Sequence, residues 1–439
     1  MVWIIIVVIC GLALTGGVAV AYVLGLGAVL SFLATDQAQY LAILPQRVFS
    51  QIDVFTFLAM PLFILAGELM TRGGVTKVLI DLAMLLVGRL KGGLGHVNIA
   101  TSVFLAGISG SAVADAAATT NTLVPEMQSR GYPADFAAAL TAASCVIGPI
   151  IPPSIVMIFY GALMNVSVAA LFAGGVVPGL LMALSLFIYN AWVARRNDHP
   201  GGKDSVLPAF VPTIIKALPA MAIPVIVVAG IVFGFVTPTE AAALAVAVTL
   251  VLVGVYEFAA TGSVSKSVRV LASKTNLSLE KSILLTGSIF MILFAAAVFG
   301  YLLAINGVPE MIAGVVASAD LSGVVYLLVV SLVLFLAGMV MDVAMALVLL
   351  VPLLIPAAIA TGADPVHVGV ITCLNLTLGL ISPPFGGCLM VVSASSGVSY
   401  ARLSRAVIPF IGVEVVVLLI LILAPDLTLF VPRLTGLIP

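Results

Sequence analysis

Apolar runs of about twenty residues or more recur along the whole chain, and nothing else in the sequence constrains the fold as strongly. A hydrocarbon layer about 30 Å thick takes one such run per helix. Clear runs lie at 55–71, 133–164, 169–194, 213–236, 238–260, 282–305, 365–396 and 406–423. Only 8% of the residues are charged, against roughly a quarter in water-soluble domains, and 63% are hydrophobic. The chain is therefore expected to be an all-α polytopic membrane protein with nine or ten crossings. The run 4–33 is one long helix or a tight pair, because Gly16-Gly17 interrupts it. Met1-Val-Trp-Ile lacks the positive start of a cleavable signal peptide, so a retained first helix is expected. A net charge of −1, with no basic run, excludes nucleic acid as a main partner. Cys10, Cys145, Cys373 and Cys388 lie far apart in apolar stretches and read as small core residues rather than a disulfide or zinc framework.

Two further apolar stretches, 94–131 and 323–362, are too long for one span and carry glycine and polar residues in their middles. Both read as re-entrant helical hairpins. If each enters and leaves on its own side, fifteen of the seventeen Lys and Arg fall on one face, leaving only Arg47 and Arg433 on the other. Cations accumulate in cytoplasmic loops, so the first hairpin's base is placed in the cytoplasm and the second's outside. Segments 75–91 and 308–320 are short and charged and are expected in the membrane interface. Segment 263–281, with four cations, is expected to be a surface helix linking two halves.

Those halves repeat. Gly131 and Gly362, Thr141 and Thr372, Gly148 and Gly379, Pro152 and Pro383, and Pro178 and Pro409 are each 231 residues apart. Asp115 and Asp342, and Pro125 and Pro352, are 227 apart, which fits a four-residue insertion near the second hairpin's base. With hairpins opening to opposite faces, the copies are inverted-topology repeats related by a pseudo-two-fold axis in the membrane plane, an arrangement suited to alternating access. The expected organisation is a scaffold with an arm helix (1–93), a first transport unit (94–194), a linker with second scaffold spans (195–322), a second transport unit (323–425) and a C-terminal tail (426–439).

Each copy carries two irregular pieces at membrane depth: a glycine-rich hairpin tip, 107–115 or 338–342, and a helix broken by paired prolines, Pro152-Pro153 or Pro383-Pro384. Proline has no N–H and clashes with the preceding turn, so it frees carbonyls that must find partners in hydrocarbon. A small hard cation would satisfy them. Two sodium sites are expected, formed by Ser109, Gly110, Ser111, Gly148, Ile151 and Pro153 in one copy and by Gly338, Gly379, Ser382 and Phe385 in the other. Half-helix N-termini would attract an anionic substrate. Asp115 and Asp342, ionisable groups in membrane segments, either neutralise a cation or cap the second hairpin arms. Thr119, Asn121, Ser154, Asn375, Ser393 and Ser395 are candidate substrate contacts, although helix–helix hydrogen bonds explain such residues equally well. Glu68, Arg72, Glu126 and Arg130 read as interfacial anchors, and His96, His199 and His367 as non-catalytic. Thr237-Pro-Thr-Glu240 reads as an architectural capping box.

Taken together, Leu123-Val-Pro-Glu-Met127, Arg130-Gly-Tyr-Pro133, Ile151-Pro-Pro-Ser-Ile155, Phe172-Ala-Gly-Gly-Val-Val-Pro-Gly179, Thr237-Pro-Thr-Glu-Ala-Ala242 and Gly338-Met-Val-Met-Asp342 resemble the large membrane subunit of tripartite ATP-independent periplasmic (TRAP) transporters. The resemblance covers essentially the whole chain. It implies sodium-coupled uptake of an organic acid such as a C4-dicarboxylate or sialic acid, by an elevator movement in the bacterial inner membrane, without a cofactor. It also implies a small four-helix membrane subunit, expected as a separate chain, and a periplasmic substrate-binding protein. Related sodium/dicarboxylate carriers carry Ser-Asn-Thr at their hairpin tips, and neither tip here does. The competing readings are a stand-alone sodium/anion symporter of the same superfamily and, more remotely, an intramembrane aspartyl protease using Asp115 and Asp342.

Overall fold

The computed structural model describes residues 8–9, 11–13, 16–201, 207–319 and 321–439; its regular elements are helices, apart from one isolated bridge between Lys91 and Gly201. Among the described residues, seven helices are long and apolar enough to cross a membrane: Phe55–Arg72, Val168–Arg196, Phe210–Val232, Pro238–Thr261, Val264–Ile305, Val343–Ala360 and Tyr400–Leu423. Shorter apolar helices make up the hairpin arms and the broken spans. The N-terminal question falls partly on residues outside those described. Within them the chain turns at Gly16-Gly17, with Gly17 at φ +81°, before α1 (Val20–Ala34).

After α2 (Leu44–Ile52), α3 (Ala59–Arg72) follows a 3-10 turn at Phe55–Leu58. It packs against α11 (Pro238–Thr261) and α12 (Val264–Ile305), and α12 also carries α1 and α2. This bundle is exposed mostly through apolar side chains such as Leu26, Leu30, Val251, Val255, Ile283 and Leu284, as hydrocarbon requires. The capping box is formed as expected: Glu240 N–H donates to Thr237 Oγ1 at 3.3 Å and Thr237 N–H to Glu240 Oε2 at 2.8 Å. Residues 263–281 are not a separate surface helix. They are the first turns of α12, a single helix of 42 residues. The segment 75–91 forms α4 (Val75–Val87), which packs against α5 (Gly93–Ser109) and α10 (Phe210–Val232) while Leu86 and Leu90 are exposed.

The repeated units follow one plan. The first hairpin is α5 with α6 (Ala112–Ser129), the first broken helix α7 (Ala134–Cys145) with α8 (Ile155–Met164), and α9 (Val168–Arg196) completes the unit. After the short α13 (Val308–Ser318), the second hairpin is α14 (Gly323–Gly338) with α15 (Val343–Ala360), followed by α16 (Pro365–Gly379), α17 (Gly387–Ser396) and α18 (Tyr400–Leu423). Helix stops at Ser109 and Gly338, and restarts at Ala112 and Val343, so neither glycine-rich tip continues as one helix.

The register of the repeat needs one correction. α6 and α15 are both 18 residues long, and their starts at 112 and 343 are 231 apart, as are their ends at 129 and 360. No four-residue insertion is required, because Ser111 matches Asp342, Gly107 matches Gly338 and Pro125 matches Pro356 at that same spacing. Asp115 then matches Ala346, so the two aspartates are not counterparts.

Contacts between the units are reciprocal. α6 packs on α17, and α15 packs on α8, so each second hairpin arm lies on the half-helix of the other copy. A two-fold relation generates such exchanged pairs. Buried hydrogen bonds tie the arms to the broken helices: Asn98 Nδ2 to Thr141 Oγ1 at 2.6 Å and Ser144 Oγ to Asn98 Oδ1 at 2.9 Å in one unit, Asn375 Nδ2 to Ser331 Oγ at 3.1 Å in the other. Each is worth on the order of 1 kcal/mol inside a membrane. The C-terminal segment is not a loose tail: α19 (Asp426–Leu434) packs on α9, and His367 Nδ1 lies 2.7 Å from Thr428 Oγ1.

Candidate functional site

Why the tips end where they do follows from local chemistry. Gly110 sits at φ +57°, and Ser111 then N-caps α6 with its hydroxyl accepting from Ala114 N–H at 3.4 Å. Asp342 does the same for α15, accepting from Ala344 N–H at 2.9 Å. Ser154 N-caps α8, accepting from Met157 N–H at 3.1 Å and donating to the Pro149 carbonyl. The peptide bonds Pro152-Pro153 and Pro383-Pro384 are both cis.

Each tip lies against its own broken helix at backbone distance. A Cβ added to Gly110 would lie 2.6 Å from the Pro153 carbonyl oxygen, and one added to Gly379 would lie 2.3 Å from the Gly338 carbonyl carbon. Only glycine permits such approach. Under the first tip, Asp115 is buried at 2% exposure. Ser109 Oγ donates to its Oδ1 at 2.5 Å, and its Oδ2, facing Gly148, has no hydrogen-bond partner. An oxygen left without a donor in a buried place is costly, so a cation has a reason to sit there.

Both tips open on one cavity of about 350 Å³. Its walls include Ser109, Gly110 and Ser111 of the first tip, Asp342 of the second, Pro149 and Leu380 of the broken helices, and a face formed by two long helices. That face comprises Met60, Ile64, Gly67, Glu68 and Thr71 on α3 and Leu285, Ser288, Ile289 and Ile292 on α12. One end is lined by Phe159, whose ring lies 5.7 Å from Phe57, itself 6.3 Å from Phe290.

Of the residues expected at sodium sites, Ser109, Gly110, Ser111 and Asp342 line the cavity, while Asp115, Gly148 and Pro153 lie beneath the first tip. Ile151 packs on Gly179. Gly338 and Gly379 meet each other, Ser382 is buried and donates to Leu378 O at 2.9 Å, and Phe385 is exposed. The expected substrate contacts are elsewhere. Thr119 is buried and donates to Asp115 O at 2.6 Å, Ser154 is a helix cap, and Asn375 bonds Ser331. Ser393 donates to Val398 O at 2.7 Å, and Asn121 and Ser395 are exposed away from the cavity. The sequence reading missed Glu68 and Thr71 as cavity residues. The spacing 60, 64, 67, 68, 71 on α3 marks one helix face, and a polar pair on that otherwise apolar stripe was the available signal.

Residues 5–427 match the family model described as "Tripartite ATP-independent periplasmic transporter, DctM component". The chain belongs to this family. It is 35% identical over 405 residues to the sialic acid TRAP transporter large permease protein SiaM of Vibrio cholerae, covering 92% of each chain. It is 36% identical over 415 residues to the C4-dicarboxylate TRAP transporter large permease protein DctM of Pseudomonas aeruginosa, covering 94% of each. Two solved structures share the fold: the YdaH transporter of Alcanivorax borkumensis, with a TM-score of 0.64 at 17% identity over 89% of each chain, and MtrF of Neisseria gonorrhoeae, with 0.56 at 13% over 90% of this chain and 85% of that one. A TRAP large permease is a multi-pass transporter of the bacterial inner membrane and not an enzyme, which removes the aspartyl protease reading.

Proposed function

We propose that this TRAP permease carries an organic acid into the cell, driven by sodium, with the substrate delivered by a periplasmic binding protein and a small four-helix membrane subunit completing the complex. The observation that carries the reading is that both hairpin tips and the scaffold meet at one cavity large enough for a small acid. The similar permeases named for sialic acid and C4-dicarboxylates support an organic acid as cargo. The partnerless Asp115 Oδ2 beside Gly148, with the Pro153 carbonyl against Gly110, supports a sodium site beneath the first tip. Its counterpart beneath the second tip rests on backbone oxygens near Gly338 and Gly379. Asp342 is committed to capping α15 through one oxygen, and Ser111 occupies the equivalent place in the first hairpin.

The reciprocal packing of the two units supports an inverted repeat, and the segregation of cations supports a cytoplasmic position for the Arg72 end of α3. In the elevator reading the hairpins, broken helices, α9 and α18 travel together against the bundle of α1, α3, α11 and α12. The test is uptake of labelled succinate or N-acetylneuraminate into vesicles holding the whole transporter and its binding protein. Uptake that needs an inward sodium gradient supports the reading, and equal uptake without sodium overturns it.

A further inference from the structure

The cavity wall carries few donor groups. No Lys, Arg, His, Asn or Gln lines it among the described residues. Three of its hydroxyls are spent on protein acceptors: Thr71 donates to Gly67 O at 2.9 Å, Ser288 to Leu284 O at 2.9 Å and Ser109 to Asp115 Oδ1 at 2.5 Å. Glu68 and Asp342, as carboxylates, only accept. Glu68 is already held by Lys281, 2.6 Å from Oε1, and by Arg72, 3.5 Å from Oε2, and neither cation lines the cavity. What remains lies at the first tip. The Ser111 hydroxyl caps α6 as an acceptor and has no acceptor for its own hydrogen among the described residues. Beside it are the first-turn N–H groups of Ala112 and Val113, which an α-helix leaves without internal partners. The second tip offers less, because its cap is itself a carboxylate and takes the Ala344 N–H. The rest of the wall is mostly apolar: Met60 and Ile64 on α3, Leu285, Ile289 and Ile292 on α12, and Phe159 on α8 line the same space. A hydroxyl or carboxylate brought against such a surface loses water and gains no partner.

We infer that the preferred cargo is a monocarboxylate with a compact apolar body, its carboxylate meeting Ser111 and the first turn of α6 and its hydrocarbon part lying on the face of α3 and α12. The inference rests on the organic-acid reading and narrows it. A second carboxylate would meet Asp342 or Glu68 with no free donor beside it, and a polyhydroxylated acid would leave most of its hydroxyls unpaired. Unpaired polar groups are what a binding site rejects most strongly, whichever partner carries them. A branched aliphatic acid instead buries its methyl groups against Ile289 and Ile292, and each buried methylene is worth about fourfold in affinity. Succinate and N-acetylneuraminate are then weaker cargo on the same route.

The test is a thermal-shift titration of the detergent-solubilised membrane complex in saturating sodium, without the binding protein, using 4-methylpentanoate, succinate and N-acetylneuraminate as probes. In wild type, 4-methylpentanoate should half-saturate at a concentration at least about tenfold below the other two. Ile289→Asn places an amide on the apolar wall and should raise that concentration by about tenfold, while succinate and N-acetylneuraminate change less. Ile292→Asn is the parallel variant should Ile289→Asn fail to fold. If succinate or N-acetylneuraminate stabilises wild type at an equal or lower concentration, the inference falls alone and the organic-acid reading stands. It falls alone as well if the folded wall variant titrates with 4-methylpentanoate as wild type does. If no probe stabilises wild type, the inference is overturned, and the organic-acid reading falls with it only where sodium-driven uptake of the acids is absent too.

Discussion

Asp115 and Asp342 illustrate how one residue type at similar sequence positions can serve different physics. Asp342 sits at the N-cap, where a short polar side chain satisfies a free N–H of the first turn. Asp115 lies one turn inside its helix, receives the Ser109 hydroxyl and keeps a second oxygen unpaired against Gly148. If sodium binds there as proposed, wild type should melt at a higher temperature in sodium, and Asp115→Asn should abolish that rise. Asp342→Ser, which installs the cap that the first hairpin uses naturally, should retain it and change stability by less than about 1 kcal/mol. An unaltered sodium response in Asp115→Asn would remove the carboxylate from the site. The sequence made both aspartates visible as expensive charges in apolar surroundings, but it could not separate their roles. Pairing Pro125 with Pro352 instead of Pro356 shifted the register by one turn, and apolar helices tolerate such a slip because their faces look alike at four-residue offsets.

At the scale of elements, the breaks in the helices were legible and the joins between helices were not. Paired prolines announce a break by sterics, and glycine beside a capping residue (Gly110-Ser111, Gly338 with Asp342) marks a helix end, so both tips and both broken spans lie where the sequence puts them. That 263–281 runs on into a span was hidden, because four cations suggest a surface helix whether or not the helix continues into the bilayer. Thr119, Ser154, Asn375 and Ser393 hold caps and hydrogen bonds in the structure for a related reason: in a membrane protein a polar side chain is needed for helix caps and interhelical bonds as often as for ligand. The tightest join is Gly338 on Gly379. Gly379→Ala would put a methyl 2.3 Å from the Gly338 carbonyl carbon, so either the second hairpin or α16 must shift. A loss of at least about 2 kcal/mol is expected, read as a lowered melting temperature. Gly287→Ala on α12, where nothing lies within 4 Å, is the control. It should stabilise the protein by about 0.5 kcal/mol through the unfolded chain's lost entropy.

The whole molecule poses the question of relative motion between its two bodies. Phe57 precedes α3, Phe290 lies on α12, and Phe159 lies on α8 of the first broken helix, so the aromatic trio joins the bundle proposed to stay fixed to the unit proposed to travel, beside the cavity. The Glu68 cluster lies toward the other end of α3. Aromatic contacts of this kind are worth about 1 kcal/mol each beyond their buried area, small enough to be broken during a transport cycle. If the unit slides as an elevator, Phe159 must leave Phe57 once per cycle; if the helices only bend locally around the tips, it need not. Phe57→Cys with Phe159→Cys, placed in a chain whose four native cysteines are replaced by alanine, separates these cases. Oxidative cross-linking should arrest sodium-driven uptake in the elevator case, and reductant should restore it. Each single cysteine should transport with or without oxidant. Full uptake by the cross-linked pair would instead confine the motion to the tips, leaving the scaffold contact intact throughout.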